Sequence, residues 1–266
     1  LTLPEVKIDL DKNGHVAGAH VVENTESHQI IEEFMLSANE AVAERLRDKD
    51  IHFLRRIHQS PSLRKLKALT EFVKELGYNV SSLESRFELQ KLLNMSVGRP
   101  DQHAVNFATL RSLQRAIYSP MDEGHYALAS DCYCHFTSPI RRYPDLVVHR
   151  SLRESRQGMD ADRRAELTED LPDVARHTSE RERRANDAER ELVQWKKVRF
   201  MADKVGDEFQ GYVTGVSAFG LYIELIEHFV EGMVHVSTMA DDYYRFVERA
   251  HVLRGEKNGR VFRLGD

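Results

Sequence analysis

Apolar and polar side chains alternate through VKIDLDKNGHVAGAHVV, residues 6–22, on both sides of DKNG. A period of two sends successive side chains to opposite faces of a strand, so this stretch predicts a β-hairpin. Asn13-Gly14 would supply the positive φ angles of its tight turn. The period then lengthens. In SHQIIEEFMLSANEAVAERL, Ser27 reads as an N-cap, and Ile30, Ile31, Phe34, Met35, Ala38, Val42 and Leu46 share one helical face. Further helices are predicted at about 62–76, ended by Gly77, at about 82–94, and at about 101–117, stopped before Pro120. PDLVVHRSLRES predicts another, with Pro144 in its first turn, where a missing N–H costs little. Residues 157–171 are polar and predict a surface loop with a short helix. From Pro172 to about Lys204 runs one long charge-rich helix. Its charges pair at i,i+4 on a solvated face, and Val174, Ala185, Ala188, Leu192, Trp195 and Phe200 turn towards a core.

At Gly206 the texture changes. GDEFQGYVTGVSAFGLYIELIEHFVEGMVHVS consists of short β-rich runs separated by glycines, the pattern of a small antiparallel barrel. A domain boundary is expected at about 205, dividing residues 1–205 from 206–266. The expected fold class is α+β: a helix-rich portion followed by a small β-barrel.

Composition adds limits. With 266 residues, 41% hydrophobic and 30% charged, the chain is that of a soluble globular protein with one large core or two ordinary ones. No apolar run reaches the roughly 18 residues of a membrane helix, and no secretory signal opens the sequence, so no membrane partner is expected. The chain begins LTLPEV and ends FRLGD, and so reads as a processed chain or an excised piece. A formal net charge of −5 does not advertise a polyanionic partner. Yet arginines cluster at 141–156 and 181–190, and local patches rather than global sums bind phosphate chains. Cys132 and Cys134, the two cysteines, are too close for an unstrained disulfide and lack a second pair for structural zinc. They read as reduced, buried residues of a strand or turn in a cytoplasmic protein.

Candidate chemistry concentrates in HFTSPIRRYPDLVVHR, residues 135–150. Thr137 and Ser138 offer hydroxyls, Pro139 stiffens the loop, and Arg141 and Arg142 offer planar forks that hold a phosphate bidentately. Adjacent arginines would not point the same way, so one is expected in a site and the other in an ion pair with Asp145. Spacing alone equally fits a surface Arg–Asp network at a helix start. The stretch closely resembles the signature of the ribonuclease II and ribonuclease R family of 3′→5′ exoribonucleases, whose catalytic domain is called RNB. IIEEFMLSAN, the RIH context at Arg56–Pro61, LRSLQRAIYSP and GHYALA are similar to family segments in the expected order. GYVTGVSAFGLYIEL, GMVHVS and DDYYRF are similar to the S1-type RNA-binding domain, an OB-fold, that follows RNB, and DYYRF…RLGD resembles the ribonuclease R branch more.

The resemblance implies a role for each matching residue. Arg141 would hold the scissile phosphate beside a catalytic metal, with Thr137, Ser138 and Arg142 near the RNA, and Arg142 and Asp145 bracing the loop. Glu189 falls where ribonuclease II has a glutamate close to the RNA end, a position at which ribonuclease R differs. Glu32, Glu33 and Asn39 fall in a helix near the family's RNA channel, either as substrate contacts or as exposed helix residues. In the barrel, Phe219, Tyr222 and His235 match positions that stack on single-stranded bases. Phe219 and Tyr222 are three apart, so either a bulge near Gly220 brings them to one face or one of them is core. Tyr243–Arg245 would add RNA contacts or aromatic packing.

Family hydrolysis implies Mg2+ held by clustered aspartates. Asp9 and Asp11, Asp160 and Asp162, and Asp241 and Asp242 lack that context, so no metal ligands are expected in this chain and the isolated chain is expected to be inactive. It reads as the C-terminal part of a larger exoribonuclease, with its S1-type barrel cut short. Single-stranded RNA would be hydrolysed to nucleoside 5′-monophosphates once the N-terminal half is supplied as a separate segment or chain. The alternatives are a non-catalytic single-stranded RNA-binding module with a degenerate RNB remnant, and a structural partner of another protein.

Overall fold

In the computed structural model, which describes residues 6–99, 101–248 and 252–266, the chain divides into two compact units. One takes the N-terminal hairpin, residues 61–113 and residues 191–266; the other takes Glu23–Ser60 and Gln114–Arg190.

The hairpin pairs β1 (Val6–Leu10) with β2 (Val16–Val21) in antiparallel register, Val6 facing Val21. Its turn differs from the two-residue form expected of Asn13-Gly14. Only Gly14 takes a positive φ, 77°, while the Asp11 carboxylate accepts the backbone N–H groups of Asn13 and His15, each at 2.8 Å. Asp11 thus closes a longer turn, and the extra residue shifts the register beside Asp9.

In the second unit, α1 (Glu26–Asp48) starts one cap earlier than expected: Thr25, not Ser27, is the N-cap, because the His28 ring three residues on bonds both its N–H (3.3 Å) and its hydroxyl (2.8 Å). The C-terminal half of α1 buries Asn39, Ala43 and Leu46. The other half of the expected apolar face stays in solvent, with Ile30, Ile31, Phe34 and Met35 between 41% and 70% exposed. Periodicity identified that face, but no described element covers its first turns. The strand β3 (Arg55–Ile57) pairs antiparallel with β4 (Ile117–Ser119).

The first unit contains α2 (Leu63–Glu75), capped by the Ser62 hydroxyl and ended at Gly77 with φ 87°, as the sequence predicts. There too are α3 (Arg86–Ser96) and α4 (Gln102–Ser112). The last is shorter than expected, since Leu113 turns extended and the β-branched and aromatic pair Ile117-Tyr118 goes to β4 instead.

In α5 (Tyr143–Gln157), Pro144 sits in the first turn and Val147 and Val148 are buried. The next helix, α6 (Ala161–Met201), overturns the loop expected at 157–171. Asp160 caps it, its carboxylate accepting the Arg163 N–H at 2.8 Å, and Leu167, Leu171 and Ala175, spaced by four, are buried in one stripe. Pro172 therefore lies inside the helix rather than at its start, on an exposed position. Ala185, Ala188, Leu192 and Trp195, expected in a core, are exposed. Phe53, Leu54, Val147, Val148, Leu167 and Leu171 form the second unit's core together with Cys132 and Cys134, which are free, buried thiols in a segment outside the helices and strands.

The C-terminal part is built of two three-stranded antiparallel sheets. β5 (Gly211–Ser217), β6 (Gly220–Leu225) and β7 (Glu231–His235) run in that order; β8 (Tyr244–Val247), β9 (Val252–Gly255) and β10 (Val261–Phe262) form the second. Val213, Leu221, Tyr244 and Leu253 fill the space between them. Gly220, at φ 153°, is required where it stands: a Cβ there would lie 2.0 Å from the Val234 carbonyl oxygen.

Candidate nucleic-acid interface

Residues 135–150 form a loop folded over the start of α5. Asp145, in the first turn and fully buried, accepts the Ser138 backbone N–H and the Arg142 guanidinium on one carboxylate oxygen, each at 2.8 Å. The Ser138 carbonyl in turn accepts the backbone N–H groups of Arg141 and Arg142 at 3.3 and 3.0 Å. One helical turn further, the His149 ring bonds the Phe136 carbonyl at 2.9 Å and stacks on its ring at 4.0 Å. The ion pair that the sequence suggests with Asp145 is formed by Arg142. Arg142 is tied down, and Arg141 is exposed, with no ion-pair or side-chain hydrogen-bond partner among the described residues. Ile140 beside it is fully exposed. Thr137 and Ser138 are half-buried, and Ser138 contributes to the loop through its backbone.

Asn39 is neither a substrate contact nor an exposed helix residue. It is buried, donates to the Tyr133 hydroxyl, accepts the Phe136 N–H, both at 2.9 Å, and through its carbonyl takes the Cys134 thiol. Glu32 and Glu33 remain exposed on α1.

Arg141, Arg142, Tyr143 and Tyr118 line a cavity of about 850 Å³ with His177 and Arg181 of α6. Sequence reasoning missed what holds Tyr118 and Glu182 of its lining in place. Arg56 pairs with Glu182 at 2.7 Å and lies 4.6 Å over the Tyr118 ring; the two charges are 126 residues apart, a separation no local pattern reveals. Behind Tyr118 sit three histidines. His135 bonds the Tyr118 hydroxyl at 3.0 Å, and His58 and His125 stack at 5.1 Å. Burial, with Arg142 and Arg56 nearby, pushes His135 down to about 3, and burial beside His58 pushes His125 down to about 4. These three rings are neutral at pH 7 and add no positive charge behind Tyr118. Glu189 is exposed on α6 and lines neither this cavity nor its neighbour.

On the barrel, Tyr222 pairs with Met233 and Gly220 with His235, which brings Tyr222, Met233 and His235 to one face. Phe219 reaches the same end by a different route from the bulge expected near Gly220. It lies in the turn before β6, where its carbonyl accepts the Val236 N–H at 2.8 Å, so strand alternation does not apply to it. The bulge falls at Thr214 instead. None of the three is core: Phe219 is 68% exposed, Tyr222 38%, and His235 is exposed. Tyr243 is exposed, whereas Tyr244 is buried and bonds Asp241 at 2.8 Å, so aromatic packing holds for the second of the pair.

Among the described residues, no three His, Cys, Asp or Glu side chains gather closely enough to hold a metal ion. The paired acids have other uses: Asp9 bonds His20, Asp160 caps α6, and Asp242 accepts the N–H groups of Lys257 and Asn258. These residues do not fit a magnesium centre.

Residues 1–157 match the RNB domain family, and residues 202–266 match the S1 RNA binding domain. The chain belongs to the RNB family. This RNB chain is 43% identical to ribonuclease R of Aquifex aeolicus over 99% of its length, and 35% identical to that of Escherichia coli over 98%. It spans 38% and 34% of those two relatives. Its fold superposes with a TM-score of 0.91 on Mycoplasma genitalium RNase R solved in complex with ribose methylated single-stranded RNA. That match is at 28% identity and covers 100% of this RNB chain and 42% of the other.

Proposed function

We propose that the chain is the RNA-gripping part of a 3′→5′ exoribonuclease of the ribonuclease R type, which in the complete protein hydrolyses single-stranded RNA to nucleoside 5′-monophosphates. The observation that carries this reading is the division at the motif: Asp145 holds Arg142, and Arg141 is left unpaired beside a cavity. An unpaired guanidinium, on backbone held by the Ser138 carbonyl, would neutralise charge as it builds on phosphoryl oxygens in the transition state. Phe219, Tyr222 and His235 add a stacking surface on the S1-type barrel, taken to begin at about residue 206. The magnesium that family hydrolysis uses would be held outside the described residues, so the isolated chain binds RNA without cutting it. Two buried free thiols fit a reducing, cytoplasmic setting.

The test pairs the chain with the N-terminal portion of a full-length relative. Alone, it should bind labelled single-stranded RNA in a salt-sensitive manner and leave it intact. With the complement and Mg2+, the RNA should shorten stepwise from its 3′ end, and Arg141→Ala should slow this by about 10²–10³, the usual cost of removing one charge-stabilising donor. Degradation by the isolated chain would sink the division of labour. Binding with no cleavage under any complementation would favour the non-catalytic RNA-binding module.

A further inference from the structure

Beside the Arg141 cavity lies a second one, of about 500 Å³, that the motif does not account for. The two share Glu182 and Asn186, which are four apart and so form a single ridge along α6. His177 and Arg181 lie on one side of that ridge; Arg183 and Arg190 lie on the other, facing Arg115 from the segment before β4. Both acids of the second cavity are already engaged. Glu182 holds Arg56 at 2.7 Å, and Asp187 holds Arg190 at 2.8 Å. Arg115 and Arg183 are exposed and have no ion-pair or hydrogen-bond partner among the described residues. Four guanidinium groups and two carboxylates line the space, and the surplus charge belongs to those two side chains. The braced-and-free division of Arg142 and Arg141 is therefore repeated one cavity along.

We infer that the Arg115–Arg183 cavity is a second phosphate subsite, taking a neighbouring backbone phosphate of the same RNA strand whose other phosphate meets Arg141. The inference rests on the reading of the chain as an RNA grip. A phosphodiester suits the place because it presents two non-bridging oxygens, sharing one negative charge, to two planar forks, and the Asn186 amide on the shared ridge can donate towards either cavity. Glu182, neutralised by Arg56, lets a polyanion cross the ridge without meeting a free carboxylate.

The test is fluorescence anisotropy of a labelled oligouridylate with the full 266-residue chain, in chelator, across a salt series. Four proteins are compared: wild type, Arg141→Ala, the double variant Arg115→Ala/Arg183→Ala, and the double variant Arg115→Lys/Arg183→Lys. Each lost phosphate contact on a single strand lowers the slope of log K against log salt by about 0.7, so the double alanine variant, which removes the one contact of this subsite, should lose about 0.7. Arg141→Ala should lose about as much, and the lysine variant should keep the wild-type slope. If wild type binds and Arg141→Ala weakens it while the double alanine variant keeps the wild-type slope, the second subsite is refuted and the RNA-grip reading stands. If wild type binds no RNA, the reading itself falls, and the subsite with it.

Discussion

Replacing Asp145 with asparagine preserves shape and removes one negative charge from a fully buried position. Its oxygen accepts two hydrogen bonds at 2.8 Å, one of them from a cation. A hydrogen bond to a charged group contributes about 1.5–3 kcal/mol, against about 1 for a neutral one. Removing one partner of a fully buried pair costs about 3–5 kcal/mol, because the other charge is left uncompensated. The Arg142 side chain is 23% exposed and keeps some hydration, which puts the expected loss at the lower end, about 3 kcal/mol. Asparagine also directs an N–H₂ group to where the second carboxylate oxygen, buried and without a partner, now lies. Urea unfolding of Asp145→Asn, Arg142→Met and the double variant gives the coupling between the two sites. Hydrogen exchange at the Ser138 amide reports the loop directly, since that N–H is bound by the carboxylate. Protection there should fall in Asp145→Asn, and the double variant should recover at least about 1 kcal/mol of the summed loss. A single variant within about 1 kcal/mol of wild type, or a coupling below about 0.5 kcal/mol, would refute the account of Asp145 as the brace of the clamp.

His125 and His135, depressed to about 4 and about 3, stay neutral in the folded state while the unfolded chain takes up protons below about 6.5. Their contribution is fully present above that pH and is lost as pH falls towards the folded values, by about 1.4 kcal/mol per group for the first unit below it. The urea midpoint should therefore drop markedly from pH 7 to 5.5, and an unchanged midpoint contradicts the assignment. Gly220→Ala places a Cβ against the Val234 carbonyl, so thermal melting of the C-terminal sheets should show a loss of more than about 2 kcal/mol. Phe219→Ala, on an exposed turn, should move stability by less than about 0.5 kcal/mol and weaken single-stranded RNA binding by about 1–3 kcal/mol; equal effects on both would identify a packing residue instead.

What could be read in advance was local. The partner of Arg142 lies three residues away in the same helical turn, so the split between the two arginines follows from spacing. The end of α2 follows from Gly77, and the start of α5 from Pro144. Other features depend on contacts that periodicity does not carry. Leu167 and Leu171 are too sparse in a polar stretch to announce a helix, and Pro172, read as a beginning, sits eleven residues inside one. Trp195 and Phe34 lie on apolar faces that nothing described covers, and a repeat of apolar residues says only which side is greasy. Arg56 and Glu182, or Asn39 and Phe136, meet only because a strand and a loop pack against two helices, and no motif spans either distance.

Asn39 uses its carbonyl, its side-chain oxygen and its side-chain nitrogen on three different residues of the chain entering the clamp. The loop is thereby indexed to the axis of α1 and not to the solvent-facing segments around it. A slide of α1 along that axis must carry Tyr133, Cys134 and Phe136 with it or break three hydrogen bonds at once. At 1.5 Å of rise per residue, the exposed Phe34 is only about 8 Å from this anchor. Mechanically, α1 is a short lever: its free end carries bare apolar side chains, and its fixed end grips the chain that leads to Arg141.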